Sequence, residues 1–126
     1  MTKAVCLISI TALSGALSCA AQAQGINGMW SRGDGQARVE IAPCGKDICA
    51  TNTWIRDSAS SEKVGDRLVM TLAPAGPSGV QGEAFDPQRN MRYRIKIVLQ
   101  SLDTMTTRGC ILAGLLCKDV GWTRIR

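Results

Sequence analysis

The sequence predicts an all-β fold: a small antiparallel, up-and-down β-barrel of about eight strands. Two observations carry that expectation. Apolar and polar residues alternate with a period of two in run after run, and turn-forming clusters separate the runs at short, steady intervals. A third supports it, since after residue 23 no helical period stands out.

The expected strands lie near residues 28–32, 36–42, 48–55, 67–73, 80–86, 91–100, 103–110 and 119–126. In the second, Ala37, Val39 and Ile41 share one face, and Gln36, Arg38 and Glu40 share the other. In the fourth, Leu68, Met70 and Leu72 alternate with Arg67, Val69 and Thr71. The sixth is the clearest: Met91, Tyr93, Ile95, Ile97 and Leu99 face one way, against Arg92, Arg94, Lys96 and Val98. This is the pattern of a half-buried antiparallel strand. Between the runs, 33–35, 44–47 and 86–90 carry Gly, Asp, Asn and Pro in turn-like order, and Leu102-Asp103 marks a weaker turn. Two longer polar stretches, 56–66 and 74–79, read as loops. Closing such a meander into a barrel removes the exposed edges it would otherwise present.

The N-terminus points to export. Met1-Thr2-Lys3 gives a short positive start, Ala4 to Leu17 is an uncharged and mostly apolar run, and Ala21-Gln22-Ala23 is a small-x-small cleavage signal. Residues 1–23 therefore read as a cleaved signal peptide, too short in its apolar part for a transmembrane helix. Residues 24–126 form the single domain, expected to be periplasmic or secreted. An alternative is lipidation at Cys19, because Ala16-Leu17-Ser18-Cys19 loosely resembles a lipobox. The formal charge of +5 falls by one with Lys3, and the remaining basic residues are scattered, so nucleic acid is not implied.

Two of the six cysteines, Cys6 and Cys19, lie in the leader, which leaves Cys44, Cys49, Cys110 and Cys117. An even number in an exported small domain reads as two disulfides. A four-thiolate zinc site competes, but it calls for closer ligand pairs and a reducing compartment. Four cysteines allow three connectivities. The local pairs, Cys44 with Cys49 and Cys110 with Cys117, are favoured because each brackets a turn-like segment.

The chain has no histidine, which removes the commonest general base and, with it, Ser-His-Asp and Cys-His mechanisms. No phosphate loop, dinucleotide fingerprint or calcium loop is present, so no cofactor or metal is expected. Glu40 and Glu83 are the carboxylates that could pair as acid and base, yet nothing places them together. Asp86-Pro87 reads as turn-making. The basic stripe of Arg92, Arg94 and Lys96 reads as a solvated face.

Gly28-Met29-Trp30 opens the first strand and Arg124 lies in the last, beside Trp122. In a closed meander these strands pair, so Arg124 could stack on Trp30. This arrangement resembles the closing pair of the calycin barrels, which include lipocalins. Trp30, Trp122 and Arg124 are therefore assigned to barrel closure. A longer ordered set resembles the bacterial exported domain-of-unknown-function family 2147. It comprises Gly28-Met-Trp30, Val39-Glu-Ile41, Cys44-Gly45, Cys49, Gly82-Glu-Ala-Phe85-Asp86-Pro87, Tyr93, Arg108-Gly109-Cys110, Gly114, Cys117 and Trp122-Thr-Arg124. Ala50 and the stretch 118–121 depart from its usual pattern. The resemblance implies an exported, calycin-like barrel and carries no established activity.

The function expected from these readings is non-enzymatic binding of a small apolar or amphipathic ligand by a monomer. Strand parity proposes Trp54, Met70, Tyr93 and Met105 as cavity residues. The alternative is an envelope protein that engages a protein partner, as an inhibitor or accessory factor, through the loops 56–66 and 74–79.

Overall fold

A computed structural model describes residues 25–126, so the leader and Cys19 lie outside the described residues. Eight strands follow one another: β1 Gly28–Arg32, β2 Ala37–Cys44, β3 Asp47–Ile55, β4 Arg67–Pro74, β5 Gly79–Asp86, β6 Met91–Leu99, β7 Thr104–Ile111 and β8 Leu116–Arg124. Each pairs antiparallel with its neighbour, and β8 pairs back onto β1 to close the barrel. Among the described residues no helix is long and apolar enough to cross a membrane.

Alternation decides the wall. Val39, Ile41, Met70, Val80, Ala84, Ile97 and Met105 point inward and form the buried core with Ile26 and Trp30. Their strand neighbours Arg38, Glu40, Glu83, Arg94, Lys96 and Arg108 are exposed on the outer face. A wall charged in this way is unlike the apolar belt by which a barrel spans a bilayer.

Two strand readings change. The last strand begins at Leu116 rather than near 119, because the β7–β8 ladder runs on through Cys110↔Cys117 to Ile111↔Leu116. More important is a bulge in β3. The register passes from Val39↔Asn52 to Arg38↔Trp54, which leaves Thr53 as the extra residue. Its hydroxyl donates to the Arg38 carbonyl oxygen at 3.2 Å. Strict parity with Ile48, Ala50 and Asn52 would aim Trp54 inward. The bulge turns it out instead, where it is 37% exposed and lies under the Arg38 guanidinium, 4.6 Å from the ring centroid.

Both disulfides are local. Cys44–Cys49 closes the β2–β3 hairpin and Cys110–Cys117 closes the β7–β8 hairpin, so all four cysteines of the described residues are bridged.

Candidate functional site

One end of the barrel is shut. Trp30 and Arg124 are paired across β1 and β8, and the Arg124 guanidinium sits 4.3 Å from the Trp30 ring centroid. Its Nη1 and Nη2 donate to the carbonyl oxygens of Asn27 and Gly25 at 2.8 and 2.7 Å, and its Nε donates to Leu102 at 2.7 Å. Trp30 Nε1 donates to Ile26, 2.8 Å away, so the segment before β1 folds under the barrel as a floor. Gly28 is required here. Its φ is +129°, and a Cβ on it would stand 2.6 Å from Arg124 Nη1.

Above that floor the interior stays open. A cavity of about 320 Å³ runs from the core toward the end that carries the β1–β2, β3–β4, β5–β6 and β7–β8 connections. Its wall is apolar, built from Val39, Ile41, Ala50, Leu68, Met70, Tyr93, Ile95, Ile97, Met105 and Trp122. The structure thus places three of the four residues proposed for a cavity, Met70, Tyr93 and Met105, in its lining. Trp54 is corrected: the bulge in β3 puts it outside. Trp122 does more than close the barrel, because it faces the cavity while its Nε1 donates to Thr107 Oγ1 at 3.0 Å. Val39, Ile41 and Ile95 belonged to the inward sets already visible in the sequence. The missing step was knowing where the barrel is empty.

The mouth is polar, and its charges are spent on holding the β3–β4 loop across it. Arg32 reaches up from β1, and its Nη1 and Nη2 donate to the two Glu62 oxygens at 2.8 and 3.3 Å. That bond raises the Arg32 pKa, with burial working against it and Asp34 adding to it. On the other side Arg89 donates to the Ser61 carbonyl oxygen at 2.9 Å and to Asp66 at 3.1 Å, and also to Asp86 at 3.0 Å. Its pKa is raised by Asp66 and then Asp86. Asn52 anchors the loop from below: its Nδ2 donates to Lys63, and its backbone exchanges bonds with Gly65 and Asp66.

Asp86 makes the β5–β6 turn, as read from the sequence, and it is also part of this mouth. It is 7% exposed. Its Oδ1 accepts the backbone N–H groups of Gln88 and Arg89 and the Gln88 side-chain amide. Burial pushes its carboxyl up, but bonds from the Arg89 amide, the Gln88 side chain and the Arg89 guanidinium outweigh burial and hold it below the ordinary carboxylate range. Glu40 and Glu83, in contrast, are exposed on the outer face of strands that are not neighbours. No acid–base pair forms between them.

Comparisons with known proteins agree with this geometry. The model of a family described as an uncharacterized protein conserved in bacteria (DUF2147) matches residues 28–124, from the first residue of β1 to the last of β8. No curated protein matches the chain. Among solved structures, a redesigned beta barrel is similar at a TM-score of 0.54, with 18% identity over 86% of this chain and 97% of that one. At that identity the likeness concerns the fold alone.

Proposed function

The chain belongs to the DUF2147 family of uncharacterised bacterial proteins, and on that premise we propose a non-enzymatic binding protein for a small apolar or amphipathic ligand. The observation that carries the proposal is the cavity. It is apolar, about 320 Å³ in volume, closed below by Arg124 and Trp30, and open above between paired charges. That size lies at the lower end of ligand sites, which run from roughly 300 to 1,000 Å³. It suits a molecule with a short hydrocarbon body and its polar end at the mouth. The protein works after export, with residues 1–23 removed as a leader. Two disulfides in one small domain support an oxidising compartment.

The test is a titration with the neutral fluorophore N-phenyl-1-naphthylamine, alongside native mass spectrometry of protein purified from its own cells. Ala50 lines the cavity from β3, so Ala50→Phe fills it without touching floor or mouth. Wild type should bind the fluorophore with a blue shift, and Ala50→Phe should lose that binding while keeping its melting transition. Equal binding by both proteins, or none by wild type, refutes the reading.

A further inference from the structure

The β7–β8 connection, at the same end as the cavity mouth, displays leucine to solvent in a conformation that leucine seldom adopts. Leu112, Ala113 and Gly114 have φ of +53°, +55° and +91°. Only the glycine takes such values freely. Leu112 is 62% exposed, Leu115 83% and Leu116 56%. A hairpin tip needs no leucine, and a strained backbone kept in place points to use rather than to stability. The Cys110–Cys117 bridge spans the hairpin one rung below Ile111↔Leu116. It holds the two strands together at the base of the tip.

Below the tip lies a cationic collar. Arg94 is the β6 partner of Cys110 and Lys96 the partner of Arg108, so all four share the outer face. Arg94 and Lys96 make no ion pair among the described residues, whereas Arg108 is paired with Asp119. Arg92 lies one alternation nearer the mouth and stacks on Phe85. Counting Glu83 and Asp119 against them, this side of the barrel remains net positive.

We infer that the β7–β8 tip docks on an anionic bilayer surface, with Leu112, Leu115 and Leu116 entering the interface and Arg94 and Lys96 facing the lipid phosphates. The dimensions agree. At about 3.3 Å per residue, Leu116 stands roughly 3 Å and Leu112 and Leu115 roughly 7 Å beyond the level of Cys110 and Arg94. Interfacial anchors bury their apolar side about 5–10 Å deep, and basic side chains near the surface are drawn to anionic headgroups. The charged outer wall keeps the barrel itself out of the hydrocarbon. Docked this way, the cavity mouth opens toward the membrane. The inference goes beyond ligand binding and does not depend on it, because it requires only the tip and its collar.

The experiment is co-sedimentation of the purified protein with phosphatidylcholine vesicles, with and without phosphatidylglycerol. Wild type should bind the anionic vesicles at least about tenfold more tightly, and less so as salt rises. Leu112→Asn with Leu115→Ser removes apolar surface while suiting the left-handed backbone at 112. It should weaken binding by about tenfold or more with the melting transition unchanged. Arg94→Gln with Lys96→Gln should reduce both the affinity and its salt dependence. Leu115→Trp should add blue-shifted emission on anionic vesicles. Ala50→Phe should sediment as wild type does, so failure of the ligand reading and failure of this one are separable. Equal binding to neutral vesicles, unaltered binding by the leucine variant, or capture of one protein partner without vesicle binding overturns the inference.

Discussion

Replacing Arg124 by Met should be the most damaging single change at the closed end, and its cost can be worked from the contacts. The guanidinium makes three hydrogen bonds to backbone carbonyl oxygens, those of Gly25, Asn27 and Leu102, and covers the face of Trp30. Bonds to a charged donor contribute about 1.5–3 kcal/mol each when sheltered. The Leu102 bond is exposed and counts for little, while those to Gly25 and Asn27 are partly buried. Stacking over an indole adds about 0.5–2 kcal/mol. Met keeps the packing of the stem but leaves the carbonyls without their donor. Allowing for non-additivity, the loss should be about 3–5 kcal/mol, from a total that in small domains is roughly 5–15. Urea unfolding followed by far-ultraviolet circular dichroism and by tryptophan emission should show the midpoint falling by about 2 M. Arg124→Lys retains the charge but not the planar fork, so it should recover less than half of the loss. A loss under about 1 kcal/mol for Met, or full recovery by Lys, would show that the floor of the barrel is held by something other than this arginine.

Two further outcomes are expected. The depressed Asp86 carboxyl binds its proton less readily folded than unfolded, so its stabilisation is complete above the unfolded value of about 4 and is lost as pH falls through the folded one. Asp86→Asn should therefore cost about 1–2 kcal/mol at neutral pH and flatten the acid limb of the stability curve; an unchanged limb in urea titrations would refute this. Glu62→Gln removes the ion pair that ties the β3–β4 loop to β1. Because that pair is partly exposed, amide exchange across 56–66 should rise only about two- to fivefold while β5 and β6 stay as they were, and an unaltered rate would mean that Arg89 and Asn52 hold the loop unaided.

The wall of this barrel was legible because it depends on local information. Period-two alternation assigns Val39, Ile41, Met70 and Ile97 to the inside from their immediate neighbours alone, and Gly, Pro, Asp and Asn mark where each strand stops. The closing pair was legible for a related reason: in a meander, the first and last strands have only each other left to pair with. Local disulfides followed from the same short range, as each spans a single hairpin. The mouth is different. Arg32 meets Glu62 thirty residues away, and Arg89 gathers Ser61, Asp66 and Asp86. No spacing rule predicts a contact made by a loop crossing the end of a barrel.

Trp54 shows how narrow the margin is between the legible and the illegible. Parity is a counting argument, and one uncounted residue reverses every assignment beyond it. Thr53 is that residue. It is β-branched and suits a strand as well as its neighbours do, so composition does not mark it as a bulge. What favours the bulge is visible only in three dimensions: Thr53 finds the Arg38 carbonyl, Ile55 keeps its register with the buried Ala37, and Trp54 gains a cation to cover its ring. The consequence reaches the cavity. A tryptophan turned inward at 54 would occupy the barrel end where Asn52, Glu62 and Asp66 now frame the opening. By diverting the largest side chain of β3 to the outer face, a single extra residue leaves that end of the barrel open.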